Sequence, residues 1–312
     1  MPTTKAKPKI RSNNKSYTIN DSGLFNIQSK SRLGERLGTS YSKLTPLKNN
    51  SNYIVYVEES KGKKKREIQY PKLSLDLIHT RIASLLVRIK VPDYVHSGVK
   101  KKSNITNAKA HIGDHPVLTM DLQQFYPSIS KKSVFHFFND LMRCSPDVAG
   151  TLAELCTYAD HVPTGSRLSM VLSFWTNYEM YSRLKSLCDL LGITMTCYVD
   201  DLTFSGAAVN RSFEKNVKGI VSSAGMTIHP DKTRLYRYYE PKLITGVIVH
   251  GNKTKVRNKH HKNIHTLFEN LEEAKTDIEI HTIYQKLLGN LSAAGQIEPA
   301  FKQRARSVAA QR

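Results

Sequence analysis

Apolar positions along the chain follow two spacings, and the switches between them mark out the elements. Tyr53-Ile54-Val55-Tyr56-Val57 and Arg66-Glu67-Ile68-Gln69-Tyr70 are β-rich runs. The Lys61-Gly62-Lys63-Lys64-Lys65 segment between them predicts a basic hairpin with Gly62 available for the turn. Leu73, Leu77, Ile82, Leu85, Leu86 and Ile89 keep helical spacing, and Val117-Leu118-Thr119-Met120 reads as a short buried strand before Asp121. Residues 131–157, 168–191 and 213–224 predict helices, with strand, tight turn and strand from Ile193 to Phe204. Lys242 to His250 predicts a strand pair with Gly246 and Gly251. Beyond residue 260, Ile264, Leu267, Phe268 and Leu271, then Tyr284, Leu287, Leu288 and Leu291, return to helical spacing. Residues 1–50 are polar and weakly patterned; about the first 15 are expected to be disordered and the rest helical or irregular. No internal repeat or coiled coil is visible.

Composition adds little until charge is considered. The 312 residues suit one large multi-lobed unit or two domains, and 39% hydrophobic with 23% charged residues excludes wholesale disorder. Lys plus Arg is 47 against 26 Asp plus Glu, a formal +21. Such a soluble chain usually has a polyanionic partner, most often nucleic acid and otherwise an anionic membrane, although a basic surface can also serve solubility alone. The net charge is +8 over residues 1–50, +8 over 51–110, zero over 111–250 and +5 over 251–312. A neutral body between basic ends suggests lobes that grip phosphates. No apolar run reaches the roughly 20 residues of a spanning helix, and Met1-Pro2-Thr3-Thr4-Lys5 lacks a signal-like apolar stretch, so a cytoplasmic protein off the membrane is expected. Cys144, Cys156, Cys188 and Cys197 show no metal-ligand spacing and are expected to be reduced thiols.

The sharpest chemical signal is Tyr198-Val199-Asp200-Asp201, which follows the apolar run Ile193-Thr194-Met195-Thr196-Cys197. Adjacent carboxylates at the tip of an apolar hairpin repel each other and are partly desolvated, a cost that a divalent cation relieves. An Asp-Asp turn held by its own local hydrogen bonds is the plainer reading. Asp121, at the end of a second apolar strand, adds a third carboxylate if the two strands pair. Three carboxylates, the Leu122 backbone carbonyl and phosphate oxygens suit two Mg²⁺ ions about 3.5–4 Å apart, the arrangement of nucleotidyl transfer.

Asp121-Leu-Gln-Gln-Phe-Tyr with Tyr198-Val-Asp-Asp resembles the A and C motifs of reverse transcriptases. Further elements in order resemble the retron reverse transcriptases of bacteria: Tyr94-Val95-His96-Ser97-Gly98, then Asn107-Ala108-Lys109-Ala110-His111 as NAxxH, Leu243-Ile244-Thr245-Gly246 as the VTG triplet, and Gly289-Asn290-Leu291 leading to Gln296-Ile297-Glu298-Pro299. The resemblance covers about residues 50–300 and implies an α+β right-hand polymerase fold with an antiparallel palm sheet. It implies a basic N-terminal extension (1–50), fingers with NAxxH (51–111), palm (112–129), fingers and palm helices (130–160), palm (161–250) and a helical basic thumb (251–312), with no RNase H domain.

Site roles follow from the same resemblance. Asp121, Asp200 and Asp201 would be catalytic and, with the Leu122 carbonyl, hold the two Mg²⁺ ions. Arg66, assisted by Lys64, would meet the incoming triphosphate, as a guanidinium suits phosphate oxygens. Tyr126 would be a steric gate against a ribose 2′-OH, or else a packed core tyrosine. His161-Val162-Pro163-Thr164-Gly165-Ser166 matches motif B, with Thr164 where LPQG-type enzymes have Gln; the Gly165 turn would bring backbone to the nucleotide. Lys232, in His229-Pro230-Asp231-Lys232-Thr233, would protonate pyrophosphate, or else be simply solvated. Asn107, His111, Thr245 and Gly246 would bind RNA; Asn107 and His111 can equally cap a helix or satisfy buried groups.

The implied activity is RNA-directed DNA synthesis on part of a cognate structured noncoding RNA. It would start from an RNA 2′-OH to give msDNA, use dNTPs, and act with an effector protein in antiphage defence. A group II intron-derived or abortive-infection reverse transcriptase is a second reading, and a non-catalytic RNA-binding scaffold for an effector is a third.

Overall fold

A computed structural model of the chain describes residues 8–59 and 65–310. Helices α1 (Lys30–Leu37) and α2 (Tyr41–Leu44) come first. The Ser29 side chain caps α1 by accepting the Arg32 N–H, and Gly38 ends it in the left-handed conformation at φ 74°. Strands β1 (Tyr53–Glu58) and β2 (Arg66–Pro71) pair antiparallel, with Glu58 opposite Arg66. Next come α3 (Leu73–Leu86), α4 (Asn104–Lys109), β3 (Val117–Asp121), α5 (Lys131–His136), α6 (Pro146–Cys156), α7 (Ser169–Thr176) and α8 (Tyr178–Leu190). They are followed by β4 (Thr194–Tyr198), β5 (Asp201–Ser205), α9 (Arg211–Ser223), β6 (Arg234–Tyr236), β7 (Lys242–Ile244), β8 (Val247–His250) and β9 (Lys253–Lys255). Three helices close the chain: α10 (Asn258–Glu273), α11 (Asp277–Ile297) and α12 (Ala300–Ala310). The fold is α+β with antiparallel sheets, as expected.

Two expected helices are broken. In residues 131–157, a π-helical turn (Phe137–Leu141) follows α5, Arg143 takes φ 55°, and Ser145-Pro146 starts a new helix. Proline is at home in a first helical turn because that turn's N–H has no partner to lose. In residues 168–191, Asn177 leaves the helical region at φ −100° and ψ 17°, its amide donating to Ser173 O at 2.9 Å. That side chain competes with the backbone for the same carbonyl. Strands β6 and β9 were not anticipated, being three residues each and too short to show a period. Residues 8–15, expected to be disordered, are tethered: the Arg11 N–H donates to Ser84 Oγ at 3.0 Å, and Arg88 donates to Arg11 O.

The chain divides into two compact units. Unit 1 comprises Met1–Asp93, Leu122–Ser186 and Val217–His229. Its core includes Leu75, Ile82 and Leu86 of α3, Val134 of α5, Leu152 of α6, Leu172 of α7 and Tyr181 of α8, all fully buried. His79, also fully buried, lies 2.6 Å from Ser166 Oγ and 2.7 Å from Leu155 O. Unit 2 comprises Tyr94–Asp121, Leu187–Asn216 and Pro230–Arg312. It holds a four-stranded sheet in the order β4-β5-β3-β6 and a three-stranded sheet β7-β8-β9. Ala108, Val117, Tyr236, Ile244, Val247 and Val249 form one core of this unit, and Ile264, Tyr284, Leu287, Leu291 and Phe301 are the centre of another within α10–α12. All four cysteines are buried and none forms a disulfide.

Burial holds the His79 imidazole at about 4, against 6.5 when solvated, so the folded protein keeps this ring neutral. In the unfolded chain the ring takes up its proton near pH 6.5; stability present above that pH is therefore lost as pH falls towards about 4. Lowering the pH from about 7.5 to about 5 should cost wild type up to about 2 kcal/mol in urea unfolding that His79→Gln does not lose. Equal slopes for the two proteins would refute this.

Candidate active site

Antiparallel pairing of β3 with β5 places Asp121 directly opposite Asp201, in the register that also pairs Thr119 with Thr203. Strand β4 pairs with the other edge of β5, bringing Tyr198 opposite Asp201 and leaving Val199 and Asp200 as the turn. The three expected carboxylates thus meet at one end of one sheet, all within unit 2. A turn this tight needs a left-handed residue, and Val199 supplies it at φ 59° although a β-branched side chain disfavours that region. The conformation is held from outside the hairpin. Val95 bridges Cys197 in parallel, through His96 N–H to Cys197 O at 2.9 Å and Cys197 N–H to Tyr94 O at 2.8 Å. Ser97 Oγ then accepts the Val199 N–H at 3.1 Å. Ser97 stands in a segment that the sequence singled out only by resemblance; no local pattern marks it as the brace of the turn.

The three carboxylates interact strongly. Burial, then Asp200, then Asp121 push the Asp201 carboxyl up to about 7, partly offset by Lys232. Asp121 is 8% exposed, and Lys232 donates to its Oδ2 at 2.6 Å. Lys232 is therefore a partner of the cluster and not the freely solvated side chain of the plainer reading. Among the described residues no three His, Cys, Asp or Glu side chains are already arranged to hold a metal ion. The donor chemistry nonetheless fits one: the oxygens are hard, and their mutual repulsion is what a divalent cation relieves. Leu122, whose carbonyl was the fourth expected ligand, follows Asp121 in the chain and bridges Ile228.

The expected nucleotide-contacting residues other than Lys232 belong to unit 1. Arg66 is exposed at the start of β2, Tyr126 is half-buried with its ring 5.4 Å from Phe125, and Lys64 lies outside the described residues. The motif B loop is bolted to its neighbours. The Thr164 N–H donates to Gln69 Oε1 at 2.8 Å, Arg167 Nε meets Asp76 at 3.2 Å, and Ser166 meets His79. A Cβ on Gly165 would sit 2.7 Å from Gln69 O, so the close backbone approach that requires this glycine is to β2. Gln69, buried in a strand, gave no sign of this role in the sequence.

The expected RNA-binding set divides. Asn107 and His111 are fully buried, and neither presents a side chain at the surface. His111 lies 2.7 Å from both Ser205 Oγ on β5 and Thr196 Oγ1 on β4, tying the α4 segment to the sheet behind the carboxylates. Burial drives its imidazole down to about 3, so it is neutral. The uncharged ring pins two strands. Thr245 and Gly246 form the turn between β7 and β8, with Gly246 exposed. Thr245 takes φ 44° and is locked by Thr245 Oγ1 to Asn104 O at 2.8 Å and Asn104 Nδ2 to Thr245 O at 3.1 Å.

Curated relatives carry the same kind of name. The chain is 37% identical over 189 residues to the retron Se72 reverse transcriptase of Salmonella heidelberg, covering 57% of this chain and 49% of that one. It is 26% identical to the retron Mx162 reverse transcriptase of Myxococcus xanthus, covering 73% and 55%, and 27% identical to the retron Ec86 reverse transcriptase of Escherichia coli, covering 68% of each. The matched stretch spans about half the length of the first two of these relatives. Residues 59–279, which include all three carboxylates and Lys232, match the family described as reverse transcriptase (RNA-dependent DNA polymerase), and the chain belongs to that family.

Proposed function

We propose that this chain is the RNA-directed DNA polymerase of a retron, copying part of a cognate structured noncoding RNA into msDNA from an RNA 2′-OH. The observation that carries the reading is the register that sets Asp121 against Asp201 beside Asp200. The ordered motifs and the retron reverse transcriptases among its relatives support it. Asp121, Asp200 and Asp201, with the Leu122 carbonyl, would hold two Mg²⁺ ions, which activate an attacking hydroxyl and stabilise the departing pyrophosphate. Lys232, hydrogen-bonded to Asp121, is assigned by its motif to neutralise charge at the cluster and to protonate pyrophosphate. Arg66 and Lys64 are assigned to the triphosphate, Tyr126 to exclusion of a ribose 2′-OH, and Thr164 and Gly165 to the nucleotide, all by their motifs. Thr245 and Gly246 remain candidates for RNA contact. The boundaries 51–111 for fingers, 112–129 and 161–250 for palm, and 251–312 for thumb belong to the same reading. So do the cytoplasmic location, the effector partner and the antiphage role; no helix among the described residues is long and apolar enough to cross a membrane.

Asp→Asn at position 121, 200 or 201 keeps the volume and removes a charge, so DNA synthesis should fall at least about 100-fold, equivalent to several kcal/mol of lost transition-state stabilisation. The variants should remain folded and RNA-bound. Near-normal cDNA yield from Asp200→Asn would sink the assignment. Undiminished phage protection by that inactive variant would instead favour a scaffold.

If Tyr126 excludes the 2′-OH, Tyr126→Ala should admit ribonucleotides. Single-nucleotide incorporation of dGTP against GTP measures this, and an unchanged preference places the gate elsewhere.

His111→Ala leaves two buried hydroxyls without their partner and should cost about 1–3 kcal/mol of stability. Self-primed synthesis on the cognate RNA and extension of an annealed primer should then fall together. Selective loss of self-priming would restore a recognition role to this residue.

A further inference from the structure

The link between β6 and β7 carries an aromatic pair that the polymerase reading does not use. Tyr239 is 71% exposed and Tyr238 47%, whereas Tyr236, at the end of β6, is 3% exposed and packed in the core. The two exposed rings lie 6.2 Å apart and tilted by 43°, so they do not cover each other in a parallel stack. Tyr239 sits at φ 60°, a left-handed conformation that costs a bulky residue roughly 1–2 kcal/mol and a glycine almost nothing. Two hydrogen bonds hold the link in this shape. The Arg237 N–H donates to the Glu240 carboxylate at 3.0 Å, and the Glu240 N–H donates back to Tyr238 O at 2.8 Å. Arg234 on β6 and Arg237, next to Tyr238 in the chain, are both exposed, and the Arg234 guanidinium lies 4.6 Å from the ring centre of the buried Tyr236. The displayed rings are thus part of a hydrogen-bonded, strained and positively charged structure.

We propose that Tyr238 and Tyr239 form a stacking platform for unpaired bases of RNA, with Arg234 and Arg237 meeting the flanking phosphates. Aromatic faces next to guanidinium groups suit single strands, because every base has a π-face and a duplex hides it. The chain's +21 charge supplies the general attraction to a polyanion, and the rings supply what a duplex cannot satisfy. The choice of RNA rests on the proposed template, since a structured RNA presents its bases in loops and bulges.

The test is fluorescence anisotropy of the full chain with three labelled probes: a single-stranded RNA of roughly 12 nucleotides, a DNA of the same sequence, and a fully paired RNA duplex. Replacing both tyrosines with alanine should weaken single-stranded RNA binding by about tenfold or more and leave duplex binding unchanged. Replacing both with phenylalanine keeps the rings and should retain affinity. Tyr239→Gly removes ring and strain together, so its thermal midpoint should hold or rise while single-strand affinity falls. Unchanged single-strand binding by the alanine variant, or equal loss on the duplex, overturns the platform. A larger loss on DNA than on RNA overturns the choice of RNA. Primer extension by the wild type on an annealed template tests the polymerase reading separately, because the binding results do not depend on it.

Discussion

Three carboxylates gathered at one end of a buried sheet repel one another, and much of unit 2 is built to hold them there. Pairing of β3 with β5 leaves Asp121 and Asp201 no freedom to separate along the strands, and the tight turn adds Asp200. Burial first, and then Asp200 and Asp121, raise the Asp201 carboxyl to about 7. Lys232 donates to Asp121 at 2.6 Å and offsets part of the charge. A cluster whose charge is only partly neutralised by the protein is suited to cationic cofactors and to charge developing in a reaction.

Holding such a cluster needs support from behind. Val199 occupies a backbone region that valine disfavours, and Ser97 and the Tyr94–His96 bridge keep it there. His111 joins β4 to β5 from the buried side through two short hydrogen bonds, and stays neutral because burial makes its charged form costly. His111 thus ties the NAxxH segment to the two strands that carry Asp200 and Asp201 at their hairpin end. Strain at a functional turn, balanced by packing around it, is a common arrangement in active sites.

Unit 1 applies the same economy to the motif B loop. Thr164 stands where related enzymes have glutamine, and the structure shows a glutamine nearby that comes from elsewhere: Gln69 on β2 accepts the Thr164 N–H. Asp76 and His79 of α3 hold the following Arg167 and Ser166. The loop's shape is thus decided by β2 and α3, and Gly165 has no side chain because the backbone of β2 occupies that space.

Local chemistry along the chain determined the strands of the carboxylate hairpin, the long C-terminal helices and the identity of Asp121, Asp200 and Asp201, because each follows from spacing, apolar flanks or an ordered motif. Helix breaks at Ser145-Pro146 and Asn177 were also written locally, in a proline and an amide side chain, but a strong apolar period masks such signals. Only tertiary structure decided which groups support the site. Ser97, Gln69 and His111 act through partners 102, 95 and 94 residues away, and no periodicity records a contact at that separation. Burial likewise decided that Asn107 and His111 face inward, since a polar residue in a motif looks the same in sequence whether it meets RNA or two hydroxyls beneath a sheet.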